Sequence, residues 1–384
     1  MISFAYSVIN AGETTTLWAM LSVTYIFFLG LTQTGILFAA IMRMSKSSWG
    51  RHFSRLGEIL TLSFIPVALI TLLIIYFGGV DHLFYWASPA SSHGNEGGHH
   101  LSPWLGRGLF LFRNLAAMAL FYGMSFIYFR AGRIEENETP VSDGLDKRLN
   151  VMSGFVMVFY VIANTEIAWD FGMMIIPHWE STIFPAFWWV GNLFAGSTFL
   201  CLISLYFMYN EQGKVIEKEH LDQFGKLLLG FALLWVYMFW SQHIVVWYSD
   251  LPNITEPLFK TMKGNYTTMF VIMILAAFII PFFALIYRSI KLSVSALSTV
   301  ALIICLGIWI NRYLMIIPVF TDGGVPLFAT WTGISLILAG LSATLLSVIL
   351  FFRFYPNIKI VLQKSLTTGT PRKDERHRGQ NYNI

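Results

Sequence analysis

Residues 165–182 read TEIAWDFGMMIIPHWEST, a strongly apolar run that carries Glu166 and Asp170 and stops at Pro177-His178. On a helix this i, i+4 spacing puts both carboxylates on one face, one turn apart. A carboxylate removed from water is costly unless something pairs with it, protonates it or uses it. Two so close repel each other, and the pair tends to share one proton. A group that takes up and gives back a proton is what a relay requires. The bland alternative is a static ion pair with Arg113 or Arg312.

Other polar groups recur in apolar runs. Arg113 and Asn114 open one such run, Gln242 and His243 sit in WVYMFWSQHIVVWYSD (235–250), and Asn311, Arg312 and Tyr313 close another. Ionisable side chains at membrane depth are rare and functional by default. Glu166, Asp170, His243, Arg113 and Arg312 are therefore candidates for a proton pathway, with Gln33 and Glu58 as further relay points. Taken singly, Arg113 and Arg312 are expected in structural salt bridges. Trp188, Trp189, Trp235, Trp240 and Trp247 read as packing or interfacial belt residues rather than a cofactor box. A transmembrane haem b needs two facing histidines, and only His243 lies clearly inside an apolar run. Cys201 and Cys305 are isolated, with no CxxC or CxxCH, so iron–sulfur and covalent haem chemistry is not expected in this chain. The same residues would serve a quinone site or a proton-coupled transporter, and the residues alone leave both readings open.

The elements that must position these groups follow from composition. Of 384 residues, 56% are hydrophobic and 12% charged, with mean hydropathy +0.62. Soluble domains carry roughly 25% charge, so the class is an all-α integral membrane protein. A bilayer-spanning helix needs about 20 apolar residues. Nine stretches qualify, at 17–42, 57–79, 108–130, 151–176, 182–208, 224–249, 265–289, 292–316 and 327–353. Segments 43–56, 130–148, 209–226, the turn with Arg288 and Lys291, and the tail from Arg353 hold most of the 25 basic residues. These fall on alternate loops, so the positive-inside rule predicts an outer N-terminus and a cytoplasmic C-terminus. The net charge of +4 comes from these loops and the tail, which argues against nucleic-acid binding. No basic n-region precedes the first span, so no cleavable signal is expected.

FFLGLTQTGILFA (27–39) and WWVGNLFAGSTFL (188–200) each place glycines five apart after a bulky triplet. LGEIL (56–60) and FGKLL (224–228) open the helices that follow. The natural reading is an outer segment 1–16, one four-helix bundle over 17–176, a second over 182–316, and a ninth helix at 327–353. Recurrence of small residues in packed membrane helices is the alternative. The outer loop 80–107, with GNEGGHH at 94–100, reads as a flexible solvated loop rather than a metal tract, and the basic tail 363–384 as a disordered cytoplasmic segment.

DFGMMIIPHWESTIFPAFWWVGNLFAG (170–196), FGKLLLGFALLWVYMFWSQHIVVWYSDLPNITEP (224–257) and SPWLGRGLFLFR (102–113) are long and specific. They resemble motifs of the NrfD/polysulfide-reductase-type membrane subunits of bacterial alternative complex III, and most of all the second such subunit. Asp170, His178, Ser181 and Thr182 match the first motif; Gln242, Trp247, Tyr248 and Pro252 match the second; Arg113 matches the helix 3 arginine. GMM (172–174) and Asp250-Leu-Pro-Asn-Ile-Thr depart from the family pattern, as do nine spans against its usual ten. The resemblance implies a subunit of a quinol-oxidising complex in the bacterial inner membrane, without a redox cofactor or metal of its own. It also implies an iron–sulfur subunit, a multihaem cytochrome c subunit and a sister NrfD-like membrane subunit as partners. Quinone-side candidates on that reading are His178, Gln242, Trp247, Tyr248 and Asp250.

Overall fold

In the computed structural model, the described residues are Phe4, 14–47, 49–87, 104–137, 143–177, 179–212, 218–249, 251–321 and 330–354. They are predominantly helical, joined by turns, with no strand among them. Among the described residues, nine helices are long and apolar enough to cross a membrane: α1 Thr15–Met44, α2 Phe53–Leu83, α3 Arg107–Ile134, α4 Asp143–Met173, α5 Phe184–Tyr206, α6 Lys218–Ser249, α7 Gly264–Ile286, α8 Val294–Phe320 and α9 Trp331–Phe354. These are the nine spans that the hydropathy pattern predicts, and the chain is a multi-pass membrane protein. GNEGGHH, His178, Asp250 and the tail 363–384 lie outside the described residues.

α1 forms the centre. It carries apolar residues on every side and is buried from Trp18 to Ala40, as expected of a helix surrounded by others. α2, α4, α5, α8 and α9 all pack against it. α3 packs on α4, α5 on α6 and α8, and α7 on α8, while α9 lies along α1 and α2. The hydroxyls of this apolar centre bond back to their own helix: Thr24 to the Met20 carbonyl (3.0 Å), Thr32 to Phe28 (2.9 Å) and Thr34 to Gly30 (2.9 Å). These back-bonds satisfy the three threonine hydroxyls within the helix itself.

Two residues explain why α1 and α2 approach so closely. A Cβ on Gly35 would collide with the Gly57 carbonyl, and one on Gly57 would collide with the Gly35 carbonyl. Small residues of this kind let membrane helices meet backbone to backbone. Thr61 then ties the pair together. Its hydroxyl donates to the Thr32 carbonyl (2.6 Å) and accepts from the Ile36 N–H (2.9 Å).

A short helix, Pro252–Met262, follows α6. The sequence reading assigns no element there, because eleven residues with Pro257 inside cannot span a bilayer. Pro252 starts it at a position where no backbone N–H is needed.

Candidate functional site

α4 ends in a π-helical turn, Trp169–Met173, closed by a bond from the Met174 N–H to the Trp169 carbonyl (2.8 Å). Single wide turns of this type recur at functional sites. The turn carries Asp170, which is 0% exposed. Glu166 lies one turn before it, also buried.

Both carboxylates face one guanidinium from α3. Arg113 Nε donates to Asp170 Oδ1 and Oδ2 (3.1 Å each), and its Nη2 donates to Oδ1. Arg113 Nε also stands 2.8 Å from Glu166 Oε1. Its hydrogen points to Asp170, so Glu166 Oε1 accepts no hydrogen bond among the described residues. Asn114, on the next position of α3, donates to Asp170 Oδ2 and to the Phe110 carbonyl (2.9 Å). Arg113 is held from its other side by the Trp104 carbonyl, and its guanidinium stacks 4.7 Å from the Trp104 ring centre. Two buried carboxylates thus share one cation. Fully ionised, the cluster carries one surplus negative charge, and one bound proton neutralises it.

Arg312, on α8, is elsewhere. It is 0% exposed and donates from Nη2 to the Trp188 carbonyl (2.6 Å) and to Asn192 Oδ1 (3.0 Å). Its guanidinium lies 4.1 Å from the Trp188 ring centre. The sequence reading expects a salt bridge here, and the structure corrects it: Arg312 meets no carboxylate among the described residues. Amide dipoles and a ring face replace the acid. Behind Asn192 a line of amides crosses the centre of the protein. Asn192 Nδ2 donates to Asn164 Oδ1 (2.8 Å), and Asn164 Nδ2 donates to Gln33 Oε1 (3.0 Å). Gln33 is therefore joined to Arg312 through two asparagines, on α1, α4, α5 and α8 in turn. Beside this line Thr34 and Tyr160 pair their hydroxyls at 3.3 Å.

Glu58 lies toward the opposite end of the bundle, ion-paired with Arg55 one turn earlier on α2. It does not meet the Glu166–Asp170 pair. His243 is also apart from that pair. With Gln242 it lines a cavity between α5, α6, α7 and α8 that also reaches Gly172 and Ile176 at the end of α4. Trp247 and Tyr248 are exposed at the end of α6, 64% and 84% respectively. The proton-pathway candidates thus fall in different places: Arg113, Glu166 and Asp170 meet between α3 and α4, Gln33 and Arg312 lie on the amide line, and His243 lines the cavity. Asn164 and Asn192 are the site residues that sequence reasoning missed. An asparagine inside an apolar helix is itself a signal, because its amide must find a partner across the interface.

A family model described as polysulphide reductase, NrfD, matches residues 8–322. The chain belongs to the NrfD family. Comparison with curated proteins found no match. The NrfD match runs through α1 to α8, so the acid pair, the amide line and the cavity lie within it, and α9 lies beyond it. NrfD-type chains are membrane subunits of respiratory reductase complexes, and they generally work beside iron–sulfur subunits.

Proposed function

We propose that this NrfD-family chain is the cofactor-free membrane subunit of a quinol-oxidising respiratory complex of the alternative complex III type. In it, Glu166 and Asp170 exchange protons with the periplasmic side. One observation carries the reading: a single guanidinium, Arg113, serves two buried carboxylates within membrane-spanning helices. A structural salt bridge needs one acid per base. The second acid adds a desolvation cost with no matching cation, and a site that loads and releases a proton accounts for it.

Charge supports the orientation. Arg43, Lys46, Arg130, Arg133, Arg148 and Arg288 gather where α1, α3 and α7 end and α4 begins. The positive-inside rule makes that the cytoplasmic face of a bacterial inner membrane. The acid pair, at the other end, then faces the periplasm. Multihaem cytochrome c and iron–sulfur subunits and a sister NrfD-like subunit are the partners this reading calls for. Electrons would pass through the partners and protons through this chain. Arg312 and the amide line to Gln33 form the polar connection from one helix group to the other. Glu58 with Arg55 supplies a titratable group near the cytoplasmic end.

The rival is a proton-coupled transporter, which would need unwound helices around a midplane substrate site. Pro66 and Pro281 are the candidate breaks. α2 turns at Phe64 with φ −80° and ψ −10°, still helical, and α7 continues from Ile280 through Pro281 to Ile286. Neither is an unwound stretch, which favours the first reading.

The test is Glu166→Gln in the assembled complex, with quinol oxidation and proton release measured together. Loss of proton release per quinol, in a complex that still assembles with haem- and iron–sulfur-bearing partners, is expected. Unchanged turnover with unchanged proton release removes the relay. A chain that purifies alone and moves a solute in liposomes removes the respiratory assignment.

A further inference from the structure

At the end of α3 and α4 far from the acid pair, the two helices are joined by a bond from the Ser153 hydroxyl to the Tyr128 hydroxyl (3.4 Å). Both residues are buried, and their sequence neighbours turn the other way. There a groove of about 500 Å³ opens between the helices. Its walls include Met124 and Ile127 of α3 and Val151 and Phe155 of α4, and its cations are Lys147 and Arg148. Ile127, Val151 and Phe155 are about half exposed, so the groove faces the hydrocarbon of the bilayer.

Charge and apolar surface follow each other in a fixed order. Lys147 and Arg148 lie in the first two turns of α4, and Phe155 comes seven residues after Arg148. At 1.5 Å per residue, the apolar walls extend about 10 Å below the cations. Arg130, one turn past Ile127 on α3, adds another exposed cation at the same end, with its guanidinium 5.6 Å from the Phe126 ring centre. Asp146 is taken by Arg43 (3.2 Å). Among the described residues no carboxylate forms an ion pair with Lys147, Arg148 or Arg130.

From this order we propose that the groove holds an anionic phospholipid of the cytoplasmic leaflet. Its phosphate lies on Lys147 and Arg148, and one acyl chain lies against Met124, Ile127, Val151 and Phe155. A phospholipid presents the same sequence of groups, with negative charge at the interface and hydrocarbon beneath. Arg148 offers a phosphate paired N–H donors, and Lys147 offers a point charge. The ammonium of a zwitterionic ethanolamine headgroup is repelled by the same two cations. A partner helix would fill the apolar walls but would leave the cations at one end unexplained. The orientation argued above sets only which leaflet supplies the lipid, and proton transfer through Glu166 and Asp170 plays no part.

The test titrates the full chain, in a mild nonionic detergent, with dioleoyl phosphatidylglycerol and with dioleoyl phosphatidylethanolamine, and reads the lipid-bound states by native mass spectrometry. Basic residues at an acidic headgroup each strengthen binding about fivefold, so the glycerol lipid is expected to bind about tenfold tighter or more. Lys147→Gln with Arg148→Gln removes that preference, and both positions are exposed, so folding is not at stake. Val151→Trp fills the groove and weakens both lipids with every charge in place. Arg288→Gln, at an exposed cation elsewhere on the same face, leaves the preference intact. Equal binding of the two lipids, or equal loss of preference in Arg288→Gln, would overturn the proposal. So would displacement of the lipid by glycerol 3-phosphate at matching concentration, which would make this a site for free phosphate esters. A lipid bound to the isolated chain but absent after assembly with partner subunits would give the groove to a partner helix instead.

Discussion

Arg113 Nε lies 2.8 Å from Glu166 Oε1, yet it directs its hydrogen at Asp170. The two acids are therefore unequal. Asp170 takes the hydrogen bonds of Arg113 and Asn114, while Glu166 receives only the field of the cation. Glu166 is the member free to change protonation without breaking a donated bond, and Asp170 is the member that anchors α3 to α4.

Removing the cation tests the anchor. Arg113→Met leaves two buried carboxylates uncompensated, and losing one partner of a buried ion pair costs about 3–5 kcal/mol. Lower yield of folded protein and a lower unfolding temperature in detergent are expected. The triple variant Arg113→Met, Glu166→Gln, Asp170→Asn removes all three charges and should recover most of the loss. No recovery would mean that Arg113 acts mainly through its packing on Trp104.

Arg312 should behave in the opposite way. It has no acid partner among the described residues, so Arg312→Met removes the cost of burying a cation while keeping most of the volume. Thermal stability is expected to hold or rise, whereas proton release by the assembled complex is expected to fall. A large drop in stability would show that the bonds to the Trp188 carbonyl and Asn192 outweigh the charge burial.

The amide line can be cut at one point. Asn192→Leu deletes the bonds to Asn164 and Arg312 together and strands their polar atoms, at about 1–3 kcal/mol for each buried group left unpaired. A drop in unfolding temperature is expected, smaller in the Arg312→Met background because one stranded partner is gone. Strict additivity in that double-mutant cycle would count against direct coupling.

Backbone contact at the centre is checked with alanine. Gly35→Ala puts a methyl group into the Gly57 carbonyl, and overpacking of a rigid contact costs about 1–3 kcal/mol. Gly123 of α3 has nothing within 4 Å of the added carbon, so Gly123→Ala should be neutral or slightly stabilising. Equal effects of the two changes would refute the close approach of α1 and α2.

Orientation follows from labelling. Cys201 is buried, and Cys305 sits mid-helix in α8, half-buried, so an introduced Ser45→Cys, exposed after α1, gives the signal. A membrane-impermeant maleimide should react in inverted vesicles and not in spheroplasts. The reverse pattern would place the Glu166–Asp170 pair on the cytoplasmic side.

The sequence by itself determined the class, the nine spans and the pairing of Glu166 with Asp170. Hydropathy is summed along a chain, and an i, i+4 spacing is fixed by the pitch of a helix, so neither depends on neighbours. The family motifs were legible for the same reason: they are contiguous. What only the tertiary structure decided is which helix faces which. Arg113 and Arg312 look alike in sequence, each at the end of an apolar run, but one meets two acids and the other meets amides. Asn164 and Asn192 lie 28 residues apart and bond to each other at 2.8 Å. Partnership between groups on different helices is set by how the helices rotate and pack, and that information is spread over hundreds of weak contacts that no short segment contains.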